Sequence, residues 1–396
     1  MERKNADILI AGGGVAGLTA AAAFGTAGFD VVIVDPAPPV TDAHSDGADL
    51  RTTAFLQPAQ AFLAKAGIWP RLAGDATPLQ IMRIIDAATH PPVLRDFDAS
   101  DISDLPFGWN LPNWLLRREI VARLHDLPNV DFRPGTGFAG MVARLDTALV
   151  NLTDGTQVNA RLVIGADGRA SPVRQSLGIA ATSLRYGQKA VTFAVTHDAP
   201  HGNISTEIHR AGGPFTLVPL PDHEGKPCSA VVWMDHGAAS LRRAALPPEA
   251  FEAEANDRSA WHYGPLKLAS KRMVWPIISQ IADQITGPRT ALVAEAAHVM
   301  PPIGAQGLNM SLRDLACLLD LTIAKPEDLG SQAMLDQYAR QRHPDIRLRV
   351  AGIDALNRAS MLGGPMAQDL RAKGIAALYG ITPVRRSLMQ LGLGAG

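Results

Sequence analysis

The stretch that most limits what this chain can fold into runs from Asp7 to Asp35. Residues 8–11 (I-L-I-A) form an unbroken apolar run, as expected of a strand buried on both faces. Gly12, Gly14 and Gly17 follow at once in the spacing G-x-G-x-x-G, and Val15 and Ala16 open an Ala-rich helical stretch within it. A second apolar run, 31–34, ends on Asp35. Each part has a mechanical reason. Gly12 allows a tight turn, Gly14 lets a pyrophosphate approach the backbone, and Gly17 lets the helix pack on the strand. The helix N-terminus faces the phosphates, and an acid about 20 residues on takes a ribose hydroxyl. The pattern specifies dinucleotide binding and does not separate FAD from a nicotinamide dinucleotide.

The rest of the chain reads in blocks. With 396 residues and 47% hydrophobic content it can bury the cores of two or so domains. Lys plus Arg is 37 and Asp plus Glu is 38, a balance that argues against a nucleic-acid partner. Cys228 and Cys317 are far apart, in no metal spacing, so neither a disulfide framework nor a metal site is expected and a reducing compartment is the default. Residues 1–6 are short and polar, unlike a signal peptide, and no apolar run reaches transmembrane length. These readings place the chain in the cytoplasm.

Residues 81–98 are strand-like and loop-rich, and a helix runs over 116–124. Residues 130–166 alternate short strands with turns, ending in a buried strand, 162–166, capped by Asp167-Gly168. Between about 185 and 275 the texture becomes that of an antiparallel sheet inserted into the first domain, with 189–195, 204–210, 215–219 and 229–234 as strands. A last buried strand, 290–294, leads to a helix ending near 319. The pattern is then helical over 335–350 and 354–361, with shorter pieces to 393.

Several side chains invite two readings. Arg51, after a long polar loop, either reaches a phosphate or flavin edge or is a solvated surface arginine. His298, at the exit of a buried strand, reads as a satisfied structural histidine because no paired acid motif adjoins it. Trp233, Trp261 and Trp275 read as packing rather than pocket lining. Cys317, in a Leu-rich helix, reads as buried and inert. Arg385-Arg386 beside Leu388, Leu391 and Leu393 reads as a solvated helix end, with a peripheral membrane contact as the alternative.

Four motifs then appear in one order: G-G-G-V-A-G at 12–17, Arg51, A-D-G-R-A-S-P-V-R at 166–174 and A-E-A-A-H-V-M-P-P-I-G-A-Q-G-L-N at 294–309. Together they resemble the single-component FAD-dependent aromatic hydroxylases, the p-hydroxybenzoate hydroxylase-like class. Leu335-x-x-Tyr338-x-x-x-Arg342, Gly352-Ile-Asp354-Ala-Leu-Asn357-Arg358, Leu370-Arg371-x-x-Gly374-Ile375, Asp49-x-Arg51-x-x-Ala54 and Leu312-Arg313-Asp314 are similar to the hydroxylases of ubiquinone biosynthesis.

The resemblance implies an α/β fold: a Rossmann-like FAD-binding domain with an inserted antiparallel-sheet substrate domain and a helical C-terminal region. The implied division is 1–180 and 276–325 for the FAD-binding domain, 181–275 for the substrate domain and 326–396 for the helical region. It implies that Gly12, Gly14, Val15, Ala16, Gly17 and Asp35 hold the ADP half of FAD. Arg51 and Arg117 would reach the cofactor from the side. Asp167 and Gly168 would serve FAD and reduced nicotinamide together. Pro302, Gly304, Gln306, Gly307, Leu308 and Asn309 would lie against the flavin ring. One departure stands out: Ala294-Glu295 occupies the place of a usual Gly-Asp pair. Glu295 then reads as a variant contact to the ribityl chain.

The activity so implied is hydroxylation of a polyprenylated phenol or quinol in ubiquinone biosynthesis through a flavin C4a-hydroperoxide. NAD(P)H is the electron donor and O2 the oxidant, and the flavin carries the chemistry in place of a catalytic side chain. Two alternatives stay open: hydroxylation of a small soluble aromatic acid, and a non-catalytic scaffold in a quinone-biosynthesis assembly. A lipophilic substrate adds the expectations of such an assembly as partner and of a place peripheral to the inner membrane.

Overall fold

The computed structural model describes residues 3–87, 92–210 and 212–361, together with 386, 389 and 390. Its organising layer is an eight-stranded sheet whose central strands are parallel. β1 (Arg3–Ala11) pairs in parallel with β2 (Val31–Asp35) on one side and with the strand Gln157–Gly165 on the other. Thr290–Leu292 and Val130–Pro134 extend the sheet outward, also in parallel. Ile8, Leu9 and Ile10 are fully buried, as strands covered on both faces must be. The helix α1 (Val15–Thr26) is buried all round from Ala16 to Gly25, which accounts for its alanines: small side chains let it lie close against the sheet and its neighbours.

The second layer is a nine-stranded sheet built on two long antiparallel strands, Ala181–Thr196 and Met273–Ala282. This sheet takes in chain from outside the inserted block. Ile81–Asp86 pairs in parallel with Ile204–Arg210, and Val93–Asp98 closes the edge. At the other edge the sheet runs through Ala282 and then pairs with His298–Val299, next to the loop that resembles a flavin-facing segment. Alternation gives it two faces. Val191, Phe193, Phe215, Trp233 and Phe251 form a sealed core on one. Ala190, Met234 and Ile277 lie on the other, packed with Ile303 of that loop.

The C-terminal region differs from the expected pair of helices. Gln332–Met361 is one continuous helix, with Pro344 inside it and no break at Gly352. A mid-helix glycine costs ~1 kcal/mol. Burial of Ile346, Ile353 and Asn357 offsets that cost. Among the described residues, no helix is long and apolar enough to cross a membrane. Of the residues that carried the sequence readings of 370–375 and 385–393, only Arg386, which is exposed, is among the described residues.

Candidate cofactor and active site

Open α/β sheets bind ligands in a crevice outside the carboxyl ends of their parallel strands, and here residues 12–14, Asp35, Asp167 and Ala294 lie at or just beyond those ends. At β1 the turn is glycine by necessity. Gly12 has φ +118°, and a Cβ there would lie 2.2 Å from the carbonyl oxygen of Ala166. A Cβ on Gly17 would lie 1.9 Å from the carbonyl oxygen of Gly12. Gly14 is different: φ is −71° and a Cβ would meet nothing within 4 Å. Its glycine character is not required by the protein, and the space beside it is open.

Gly13, passed over in the sequence reading, lies against the acid that closes β2. Its N–H donates to Asp35 Oδ2 at 2.5 Å, and the Ala37 N–H donates to Oδ1 at 2.8 Å. A Cβ on Gly13 would sit 2.8 Å from that of Asp35. Asp35 is therefore held by the turn, at the mouth of the crevice.

Asp49 and Arg51 form the most charged part of the site. Arg51 Nε and one Nη donate to the two oxygens of Asp49, each at 2.8 Å. Asn113 donates to the same carboxylate at 3.0 Å and Arg117 approaches it at 3.5 Å. Burial alone would raise the Asp49 carboxyl, but Arg51, then Asn113 and Arg117, hold it below its usual range. Burial likewise opposes the charge on Arg51, and Asp49, then Glu295, outweigh it. The same guanidinium lies over the ring of Trp275, 4.0 Å from its centroid. Asp49 was given no role of its own from sequence, and Trp275, read there as packing, lies against this guanidinium instead. The D-x-R spacing was the one available signal.

Asp167 follows the strand Gln157–Gly165. Its Oδ2 accepts the Val173 N–H at 2.9 Å, while Oδ1 is buried with no partner. Burial raises this carboxyl above its ordinary value, against the opposing hydrogen bonds from Ser171 and Val173. A buried, orphaned carboxylate oxygen wants a donor, and a ribityl or ribose hydroxyl fits that demand. The sign follows from the raised value. In the cofactor-free protein, stability contributed by Asp167 falls as pH rises from its unfolded to its folded pKa. A hydroxyl donated to Oδ1 favours the ionised form, so FAD binding releases a proton at and below the raised pKa of the cofactor-free fold and weakens as pH falls through it. FAD affinity measured by flavin fluorescence should therefore show an acid limb that Asp167→Asn removes. A limb unchanged in the variant would take Asp167 out of the site.

Beyond Leu292 the chain passes Ala294, whose φ is +54°, a left-handed conformation that favours glycine. The alanine of the Ala294-Glu295 pair thus keeps the backbone that glycine would adopt. Glu295 is exposed, and its charge acts on Arg51. Replacing Ala294 by glycine should stabilise the protein by about 0.5–1 kcal/mol: it relieves ~1–2 kcal/mol of left-handed strain against ~0.5–1 kcal/mol of added chain entropy. The denaturation midpoint measures this, and a lower midpoint would contradict it.

Pro301 and Pro302 lead to Gly304 and Ala305, both left-handed at φ +63° and +56°. The helix Gln306–Ala324 starts there with no side-chain cap, as α1 does. Two uncapped helix starts leave N–H groups for an anionic or electron-rich group. Gln306 donates to the Gly304 carbonyl at 3.0 Å and accepts from Arg349 at 3.3 Å. Asn309 spends its amide on the chain: it donates to the carbonyls of Ala54 and Ala305 and accepts the Leu56 N–H at 2.8 Å. Its side chain ties the helix to β3 (Thr52–Leu56). Gly307 and Gly168 present open space, and Leu308 packs on the main core.

His298 is buried, with Nε2 2.6 Å from Asp314 Oδ2. Arg342 donates to the other Asp314 oxygen at 2.8 Å and to Asp345. This is the structural histidine expected, with an acid partner one helix away that no local motif revealed. Trp233 is core, as read, whereas Trp261, read as packing, is exposed at a left-handed turn position. Cys317 is half-buried rather than buried; burial pushes its thiol up to about 11.

The family described as "FAD binding domain" matches residues 5–351. The chain is 34% identical over 394 residues to ubiquinone hydroxylase UbiL of Rhodospirillum rubrum, covering 99% of this chain and 90% of that protein. It is 25% identical over 401 residues to the 3-demethoxyubiquinol 3-hydroxylase of Escherichia coli, spanning 100% of both. Among solved structures it is similar to p-nitrophenol 4-monooxygenase PnpA from Pseudomonas putida DLL-E4, with a TM-score of 0.81 over 99% of each chain at 20% identity, a likeness of fold.

Proposed function

The chain belongs to the FAD-binding-domain family, and from that premise we propose that it is an FAD-dependent monooxygenase hydroxylating a prenylated phenol or quinol precursor of ubiquinone. The observation that carries the substrate class is the apolar face of the nine-stranded sheet against which the loop that opens on Pro301-Pro302 packs. Ala190, Met234 and Ile277 pack there with Ile303, while Val232 and Tyr186 border them. Parting of Ile303 from that face would uncover a surface suited to an aromatic ring bearing an alkyl tail. Arg51, the cation next to this face through Trp275, already carries Asp49. Likeness along nearly the whole chain to proteins named as ubiquinone-pathway hydroxylases supports the same reading.

The residues present fit FAD. The open space at Gly14, the uncapped start of α1 and Asp35 suit the ADP half. The orphaned oxygen of Asp167 and the charge of Glu295 suit the ribityl side. Gly304, Gln306, Gly307 and Leu308, at the second uncapped helix start, suit the ring edge, with Pro302 shaping the approach. Bound FAD, reduced by NAD(P)H, supplies the oxygen-activating chemistry. What the chain's own residues do is hold and enclose. Arg51 and Arg117 balance negative charge beside Asp49, and the positive end of the helix Gln306–Ala324 favours electron density at the ring. The apolar face orients the phenol and keeps water from it. A prenyl tail partitions into lipid, so delivery calls for peripheral membrane contact or a carrier assembly.

Deletion of the gene tests the pathway assignment. The expected result is accumulation of a prenylated precursor lacking one ring hydroxyl, restored by the parent gene. Unchanged ubiquinone with no accumulating precursor would overturn it.

A further inference from the structure

We infer that Trp275, a residue of the substrate sheet, is a positioning residue of the cofactor site, acting through Arg51. The inference rests on the assignment of Arg51 to FAD made above. Arg51 leaves a polar loop with its side chain 39% exposed, and an arginine so placed has many rotamers to lose on binding an anion. Two contacts remove that freedom, in different directions. The edge of the guanidinium donates twice to Asp49, each bond 2.8 Å. Its plane lies over the indole of Trp275 at 4.0 Å. The fork holds the guanidinium coplanar with one carboxylate, and the stacked ring adds a second restraint perpendicular to that plane.

The indole is itself fixed from the other domain. Trp275 Nε1–H donates to Thr192 Oγ1 at 3.1 Å. Trp275 and Thr192 belong to the two long antiparallel strands, where Trp275 pairs with Ala190. The strand that carries Trp275 continues to Gln280 and Ile281, which pair with Val299 and His298 just before the Pro301-Pro302 loop. One strand therefore touches the crevice twice, at Arg51 through an indole and at the loop through its backbone. The neighbouring charges are Asp49, Arg117 and Glu295, so the stacked guanidinium is one of two cations in a mixed cluster, and the one whose orientation the indole sets.

A double-mutant cycle on FAD affinity separates this role from packing. FAD is titrated into cofactor-free protein and followed by quenching of flavin fluorescence, with gel filtration and circular dichroism as folding controls. Trp275→Leu, which keeps bulk and removes the ring face, should weaken FAD about tenfold, and Trp275→Phe should stay within about threefold of the parent. Arg51→Met should weaken FAD at least tenfold, and adding Trp275→Leu to it should cost less than about twofold more. An equal penalty in both backgrounds would make Trp275 a packing residue and overturn the inference, as would a Trp275→Leu protein that binds FAD like the parent. An Arg51→Met protein that binds FAD normally would instead remove Arg51 from the cofactor site, and the inference with it.

Discussion

Gly14→Val should leave the fold intact and abolish FAD binding. The backbone at residue 14 has φ −71° and ψ 172°, open to any L-residue. A Cβ there meets no protein atom within 4 Å. The substitution therefore costs the cofactor-free protein little, while it fills the space beside the start of α1 that a pyrophosphate needs. Affinity should fall by more than about a hundredfold, equivalent to at least ~2.7 kcal/mol. Flavin absorbance after gel filtration reads occupancy, and circular dichroism reads the fold. Gly17→Val is the contrasting case. Its Cβ would lie 1.9 Å from the Gly12 carbonyl oxygen, so the helix must leave the strand and the protein should not fold. Full flavin occupancy in the Gly14 variant would remove the β1–α1 turn from the cofactor site.

Asp314→Ala should be among the most destabilising single changes in the chain. Asp314 is fully buried between His298 and Arg342. Burial opposes the charge on Arg342, and Asp314, then Asp345, outweigh it and push its pKa up. Removing Asp314 leaves a buried cation with half its partners and His298 with none. Breaking a buried pair in this way typically costs ~3–5 kcal/mol. The thermal midpoint should fall by several degrees or more. Arg342→Met added to Asp314→Ala should recover part of the loss, because the uncompensated charge is then gone. No recovery would mean that the cavity, rather than the charge, carries the cost. The effect should reach the site, since His298 begins the strand leading into the Pro301-Pro302 loop and Arg342 belongs to the helix that also supplies Arg349 to Gln306.

What could be read from sequence was what depends on neighbours along the chain. Gly12 and Gly17 are required by contacts one turn away, so their spacing announced strand, turn and helix together. The inserted sheet was legible where strands and turns alternate, between residues 185 and 275. Its outer edge was not, because Ile81–Asp86 joins it by parallel pairing with Ile204–Arg210, which no local pattern encodes. The long C-terminal helix read as two at Gly352, since propensity is local while the burial of Ile353 and Asn357 is not. At the site the same rule holds. Arg51 could be singled out from its own segment, but Trp275 stacked on it comes from the other sheet. His298 was read as structural, but Asp314 and Arg342, which make it so, lie on two later helices. The Ala294-Glu295 departure was visible. That the alanine keeps a left-handed backbone was not.

The most direct test is turnover of the FAD-loaded protein with NAD(P)H, a prenylated phenol in mixed micelles and isotopically heavy oxygen gas, followed by mass spectrometry. The predicted result is a ring-hydroxylated prenyl phenol carrying one heavy oxygen atom, formed only when reduced nicotinamide is present. Absence of any labelled ring product, with FAD bound and the phenol in excess, would contradict the proposed function.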